Sequence, residues 1–290
     1  MNNVLITGKA GYVALNLFRR LNSNPEKYSC DCLSLRDQTW KSINLSKYDT
    51  IVHCAALVHK REVKKSENNY NQINRDLTYA FATKAKTSGV KHFVFISSMA
   101  VYGLDGKIGK SIVITEDTPC IPNSFYGKSK LEAENLILGL QDPSFTVSIV
   151  RPPMIYGPNC PGNYTKLRKL ALHWGIFPEI QNERSMIFID NLCNYLEQLL
   201  SIRVAGIFLP QNDEFVCTTE MIKLIVSQHG IRKPIFSKLL GKVIYMLNLS
   251  VVNKVYGNLL YEKPSSNKID QNCTMIGFEK SICITEKEWI

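Results

Sequence analysis

Apolar residues follow two rhythms along this chain. Short, nearly continuous runs occupy 4–7, 31–35, 49–56, 90–98 and 145–150, and such runs read as strands covered on both faces. Between them the spacing changes to three and four. Leu15, Leu17, Phe18 and Leu21 follow the first run, and Ile73, Leu77, Ala80, Phe81 and Ala85 lie within 70–88, the rhythm of helices that bury one face. Asn74 interrupts the second face. Strands alternating with helices predict an α/β fold on a doubly wound parallel sheet, whose ligands sit at the carboxyl ends of the strands.

The run ends carry chemistry. Val4-Leu5-Ile6-Thr7 passes through Gly8-Lys9-Ala10-Gly11-Tyr12-Val13-Ala14 into a helix, the context a dinucleotide fingerprint needs. Gly8 makes the tight turn, Gly11 lets backbone approach a pyrophosphate, Ala14 keeps the helix close to its strand, and the helix N-terminus faces the negative charge. The second run ends in Arg36-Asp37, where an acid would hold the ribose hydroxyls of NAD and an arginine would suit the 2′-phosphate of NADP. Arg36 stands at the expected position, so NADP is slightly favoured, with NAD retained because Asp37 is adjacent. Ala55 and Ala56 end the third run and let a cofactor come close, while His53 reads as a core or strand-end residue. Ser97 and Ser98 end the fourth run on hydroxyls that face the same crevice. Pro152 and Pro153 end the fifth, since proline cannot donate ladder hydrogen bonds, and form a rigid wall there.

A loop with Pro119 and Pro122 delivers Ser124-Phe125-Tyr126-Gly127-Lys128-Ser129-Lys130. On a helix, Tyr126 and Lys130 stack one turn apart, so the ammonium is expected to lower the phenol pKa and make it a general acid/base near neutrality. Alone, this spacing more often marks a solvated helix face.

Composition narrows the partners. The 290 residues are 45% apolar and 21% charged, ordinary for a folded globular chain. Lys and Arg exceed Asp and Glu by 35 to 25, a formal charge of +10, which favours anionic ligands. The basic residues are scattered. Their densest group, Lys60, Arg61, Lys64 and Lys65, lacks interleaved aromatics, so nucleic acid is not expected as a partner. Nine cysteines without a Cys-x-x-Cys pair read as small apolar residues of a reducing compartment, with no metal site. The chain opens directly into its first strand and has no apolar run of about 18 residues, so a cytoplasmic location is expected.

Taken in order, Thr7-Gly8-Lys9-Ala10-Gly11-Tyr12-Val13, Ala55-Ala56, Asn74, Ser97 to Gly103, Tyr126 to Lys130, Arg151-Pro152, Tyr156-Gly157-Pro158 and Arg184 to Asp190 resemble the extended short-chain dehydrogenase/reductase family, in particular nucleotide-sugar epimerases of the UDP-glucose 4-epimerase type. The match is strong over about residues 1–215. The resemblance implies a Rossmann-type fold with a smaller, mainly C-terminal substrate-binding lobe. It implies that Tyr126 is the acid/base, that Lys130 holds the nicotinamide ribose and that Ser98 hydrogen-bonds the reacting hydroxyl. Gly8, Gly11, Tyr12, Val13, Arg36, Ala55, Ala56, Asn74, Ser97, Lys130, Pro152 and Pro153 are the expected cofactor contacts, with Asn74 supporting the active-site helix. Ser98, Met99, Met154, Asn163 and Arg184 are the expected substrate contacts, Arg184 at the diphosphate, which its fork of donors suits. The implied reaction is epimerisation of a nucleotide-diphosphate sugar through a transient keto sugar, serving surface polysaccharide synthesis.

Three departures bear on that reading. Ala14 replaces a third glycine, Arg36 replaces an acid of NAD-dependent epimerases, and Met154 replaces an asparagine that touches the nucleotide diphosphate. Arg36 supports an alternative, net NADPH-dependent reduction of a keto sugar. A third class, a non-catalytic cofactor-sensing module, is opposed by the intact Ser98, Tyr126 and Lys130. A 4,6-dehydratase is disfavoured by Ser98-Met99-Ala100. Residues 1–157 and 185–209 are expected to form the nucleotide-binding unit, and 158–184 and 210–290 the lobe. There Thr218 or Thr219 is expected to cap a helix. The stretch 238–261 reads as an apolar helical segment with lysines at 238, 242 and 254, either a buried lobe or homodimer helix or a peripheral membrane contact.

Overall fold

The computed structural model describes residues 1–58, 67–231, 234–247, 249–263 and 275–289. The basic group at Lys60, Arg61, Lys64 and Lys65 lies outside them. In chain order the first half comprises β1 (Asn2–Thr7), α1 (Tyr12–Asn22), β2 (Tyr28–Leu33), β3 (Thr50–His53), α2 (Glu67–Tyr70), α3 (Leu77–Thr87), β4 (His92–Ile96), β5 (Val113–Ile114) and α4 (Phe125–Leu138). There follow β6 (Thr146–Val150), β7 (Met154–Tyr156), α5 (Asn163–His173), β8 (Ile176–Pro178), β9 (Met186–Phe188), α6 (Ile189–Ile202) and β10 (Gly206–Phe208). The last part holds α7 (Thr218–Gln228), β11 (Ile235–Ser237), α8 (Lys238–Leu247), α9 (Ser250–Tyr256), β12 (Leu260–Tyr261) and α10 (Phe278–Lys287).

Six strands form one sheet in the order β10-β6-β4-β3-β1-β2, every neighbouring pair parallel. Alternation along each strand sends residues to opposite faces. Val4, Ile6, Val52, Val94, Ile96 and Val150 join a core with α1 and α6, while Leu5, Ile51, Phe93, Phe95, Val147 and Ile149 join another with α3 and α4. The sheet is therefore doubly wound. The chain crosses from β2 over β1 to β3, and the crevice between β1 and β3 is the switch point at which such sheets bind ligands.

The first core runs without a break from the sheet through α6 into α7 and α10, by way of Leu196, Met221, Ile225 and Ile282. Helices α6, α7 and α10 thus share the sheet's apolar core, while Leu259 and Tyr261 join a smaller cluster with Val101, Tyr102 and Ile114. The cap expected from Thr218 or Thr219 is supplied otherwise: Cys217 occupies the cap position without a side-chain bond, the Thr218 N–H donates to Asn182 Oδ1 at 2.9 Å, and the Thr219 hydroxyl donates to the Ile180 carbonyl at 2.8 Å.

Two expected elements are redrawn. The second strand spans Tyr28–Leu33, so Arg36 lies three residues past its end. The stretch 238–261 is two helices and a short strand, because Leu249 adopts an extended backbone before α9. None of the described helices is long and apolar enough to cross a membrane.

Candidate active site

Gly8 ends β1 with φ +83°, and a Cβ there would lie 2.9 Å from the Ala55 nitrogen. Only glycine fits this turn, and Ala55 after β3 closes the other wall of the crevice. The Gly11 N–H donates to the Gly8 carbonyl, and Gly11 precedes α1 with no side-chain cap, so the first amides of α1 are open to an anion. Ala14 is fully buried in the core below. The Tyr12 hydroxyl and the Ser97 hydroxyl are buried without a hydrogen-bond partner among the described residues, and such groups ordinarily answer to a ligand or water. Val13 is half-buried in the same helix start. A glycine turn, an open helix N-terminus and two unanswered hydroxyls fit a dinucleotide.

Beyond β2, Arg36 is exposed. Asp37 is engaged elsewhere: its carboxylate accepts from the Thr39 N–H at 3.0 Å and from the Thr39 hydroxyl, capping a 3₁₀ turn. Among the described residues the Arg36 side chain makes no hydrogen bond or ion pair, whereas Asp37 is held by Thr39. His53 is a core residue, as its sequence setting indicated. It is fully buried, bridges Thr7 and Thr78 at 3.0 Å each and is driven down to about 3 by burial.

At the end of β4, Ser98 caps a 3₁₀ turn over Met99–Tyr102 by accepting from the Ala100 N–H at 3.1 Å. Ser124 caps α4 in the same manner, accepting from the Gly127 N–H at 3.0 Å. A Cβ on Gly127 would come within 2.5 Å of the Ala100 carbonyl, so glycine lets the first turn of α4 press against the turn after β4. That contact brings Tyr126 beside Ser98, which acts on the phenol in the lowering direction. Tyr70 meets the Tyr126 ring edge-on at 6.4 Å.

The electrostatics differ from the sequence expectation. Burial pushes the Tyr126 phenol up to about 12, with the Ser98 hydrogen bond acting in the lowering direction and Tyr70 in the raising one. Lys130 is not among the groups that move it. The lysine is buried, donates to the Ile96 carbonyl at 2.8 Å, lies 4.4 Å from the centre of the Phe95 ring, and is itself lowered to about 8 by burial. One helical turn separates tyrosine and lysine on α4, and burial governs the shift of each.

Asn74 belongs to a π-helical segment, Asn71–Asp76, between α2 and α3. The wider winding turns Asn74 fully inward and leaves Ile73 38% exposed, so that Ile73, expected on the buried face, leaves it. Its amide accepts from the Leu57 N–H at 2.7 Å and donates to the Leu57 carbonyl and to Ser129 at 3.2 and 3.1 Å. Ser129 in turn donates to the Tyr126 carbonyl at 2.9 Å. Asn74 thereby ties the strand-end loop after Ala55 and Ala56 to the helix that carries Tyr126.

A second support was not read from the sequence. Arg151 grips Glu134 on α4 through Nη2 at 2.5 Å and Nε at 3.1 Å, and Tyr102 at 2.9 Å, all three buried. Glu134 sits one turn beyond Lys130, the only local signal. Pro152 and Pro153 are buried after β6, and the Pro152 carbonyl accepts from the Met99 N–H at 3.0 Å.

The expected substrate contacts divide. Met99 and Met154 are half-buried near the strand ends. Arg184 is half-buried, donates to the Gly257 carbonyl at 2.7 Å and lies by Gly106; burial lowers its pKa while Asp105 opposes. Asn163 begins α5 on an exposed position, and among the described residues no hydrogen bond joins it to the crevice.

The description "NAD dependent epimerase/dehydratase family" matches residues 4–175. A UDP-glucose 4-epimerase from Vibrio cholerae is 30% identical over 76% of this chain and 74% of its own. The N-acetyl-alpha-D-glucosaminyl-diphospho-ditrans,octacis-undecaprenol 4-epimerase of Escherichia coli O157:H7 is 28% identical over 71% of this chain, which spans 65% of that protein's length. Among solved structures, the UDP-glucuronic acid 4-epimerase from Bacillus cereus in complex with NAD superposes with a TM-score of 0.76 at 18% identity, over 99% of this chain and 98% of that one. A dTDP-4-dehydrorhamnose reductase from Bacillus anthracis in complex with NADP gives 0.64 at 20% identity, over 83% and 87%. The structural likenesses bear on the fold, and the sequence match together with the glycine turn and the Ser98/Tyr126/Lys130 cluster gives the assignment: the chain belongs to the NAD dependent epimerase/dehydratase family.

Proposed function

We propose that the protein epimerises a nucleotide-diphosphate sugar through a transient keto intermediate, as a step toward surface polysaccharide. The observation that carries this reading is the packing of the first turn of α4 on the turn after β4 through Gly127, which sets Tyr126 beside Ser98 at the carboxyl end of β4, next to a glycine turn suited to a dinucleotide. A nicotinamide bound there supplies hydride acceptance and return.

The protein's own groups supply position and proton transfer. Tyr126 takes the proton of a sugar hydroxyl that Ser98 holds, and gives it back after the keto sugar has turned over in the pocket. To accept that proton Tyr126 must be present as the phenolate, and with burial pushing the phenol up to about 12 that form depends on groups that lower it, of which Ser98 is one. Lys130, one turn along α4, is the cation in reach and the candidate for the cofactor ribose. Gly8, Gly11 and the open amides of α1 suit the pyrophosphate. Arg184 is assigned to the substrate diphosphate, where a half-buried guanidinium gains most from a paired anion.

A second reading has one specific support. Arg36 is exposed while Asp37 is spent on Thr39, which favours NADP and with it net reduction of a keto sugar. The two readings separate on a panel of UDP-sugars and dTDP-sugars. Epimer formation seen by proton NMR without added reductant supports the first. Failure of every sugar to epimerise, with steady NADPH consumption on a keto sugar, replaces it with the second.

A further inference from the structure

The outer face of the lobe carries apolar residues where a globular protein ordinarily places polar ones. On α8 and the start of α9, Leu239 is 73% exposed, Met246 81%, Leu247 59% and Val251 78%, with Val243 and Leu249 also exposed. The helix is seated firmly by its other side. Gly241 is buried against the Glu179 backbone, where a Cβ would approach the carbonyl to 2.7 Å, and Ile244 packs on the main core. At about 100° per residue, Met246, Leu239, Val243 and Leu247 form one stripe opposite Gly241, and Lys238 and Lys242 flank it on one side. The adjoining strands continue the pattern. Ile176 and Ile235 are register partners of β8 and β11, 51% and 64% exposed, while Phe177 and Phe236 stack on each other at 6.1 Å.

Charge selects the occupant. No acidic residue occurs between Glu220 and Glu262, a stretch that contains Lys223, Arg232, Lys233, Lys238, Lys242 and Lys254. Among the described residues, Glu220 pairs with Lys223 at 2.8 Å, Asp105 lies 3.8 Å from Lys254, and Glu179 lines a groove of about 680 Å³ with Lys238 and Lys242, which leaves Lys238 and Lys242 as the unpaired ammoniums beside the stripe. A second copy pairing face to face would set acid-free basic stretches against each other. An anionic lipid surface instead accepts the apolar stripe among its acyl chains and the flanking ammoniums at its headgroups.

We propose that α8 and the start of α9 dock this protein peripherally on an anionic bilayer. Short helices suit a surface contact, and α9 ends at Gly257, whose carbonyl receives the Arg184 guanidinium. One short helix therefore separates the docking face from the residue assigned to the substrate diphosphate. Docking is read without turnover, so its failure leaves the sugar chemistry standing, and failure of the sugar chemistry leaves docking standing.

The test is co-sedimentation of the full chain with large unilamellar vesicles, either pure phosphatidylcholine or phosphatidylcholine mixed with phosphatidylglycerol. Binding to the mixed vesicles is expected to exceed binding to the neutral ones by about fivefold or more at low salt. The variant Leu239→Glu/Met246→Glu should lose about tenfold of that binding, and Lys238→Glu/Lys242→Glu should lose the preference for phosphatidylglycerol. Both variants should keep the wild-type circular dichroism and melting temperature, since the altered side chains stand in solvent. Absence of wild-type pelleting with the mixed vesicles would overturn the proposal without recourse to any variant. So would a wild-type dimer in sedimentation velocity that Met246→Glu dissociates, which would make the face a contact between copies.

Discussion

In the crevice at the ends of β1, β3 and β4, polar groups are enclosed by apolar ones. On α8, apolar groups are set out in water beside lysines. The first arrangement is costly unless every polar atom is answered, and Asn74, Ser129, Lys130, Arg151 and Glu134 each have buried partners, while among the described residues the Tyr12 and Ser97 hydroxyls have none. The second arrangement is costly unless something covers it. Enclosed polarity reads as chemistry and exposed apolarity as contact, and the two should respond to mutation in different measurements.

The largest effect is expected at the enclosed hydroxyl. Tyr126→Phe keeps the ring against Tyr70 but removes the proton carrier, so kcat should fall by about 10²- to 10⁴-fold with an unchanged melting temperature. A fall of less than tenfold would place the acid/base elsewhere. Next comes the clamp on α4. Arg151→Met leaves the Glu134 carboxylate buried without its cation, which should cost about 3–5 kcal/mol in urea unfolding. Wild-type stability in that variant would mean that the pair is dispensable to the crevice.

Lys130 makes a pH-dependent contribution. Burial holds it at about 8 against an ordinary 10.5. Between those values the unfolded chain binds a proton that the folded chain has released, so stability rises with pH across that window. The gain is complete above 10.5, is lost as pH falls toward 8, and amounts to on the order of 3 kcal/mol. Lys130→Met should flatten the slope in unfolding titrations; an unaltered slope would show that the lysine is not held this way. The smallest effect belongs to Asn74→Leu, which strands the Leu57 amide and carbonyl and should cost about 1–3 kcal/mol. If Asn74 positions α4, kcat should fall while KM for substrate stays close to wild type; a loss of stability with wild-type kcat would make it purely structural.

Much of the crevice was legible in the sequence because its signals are local. Gly8 follows a β run and precedes a helix within a few residues, and Tyr126 and Lys130 need only helical geometry to share a face. What escaped depends on packing between distant segments. The outward turn of Ile73 comes from a π-helical winding that a regular helical period cannot express. Arg151 finds Glu134 and Tyr102 only once β6, α4 and the turn after β4 converge. The direction of the Tyr126 shift was misread because a spacing reports the neighbouring charge and not the loss of water around the phenol. Along 238–261 the apolar content was plain, yet the break at Leu249 and the outward aim of the stripe were not, since the spacing reads the same whether the stripe faces a core or solvent.

The central claim is that the hydrogen removed from the sugar carbon returns to the same molecule after a transient oxidation assisted by Tyr126. Substrate deuterated at the epimerised carbon tests it directly, with the product epimer examined by mass spectrometry and NMR. The account predicts that the deuterium is retained at that carbon in the epimer, and that Tyr126→Phe slows its appearance in step with turnover. Exchange of the label with solvent, or its accumulation in free reduced nicotinamide, would contradict it.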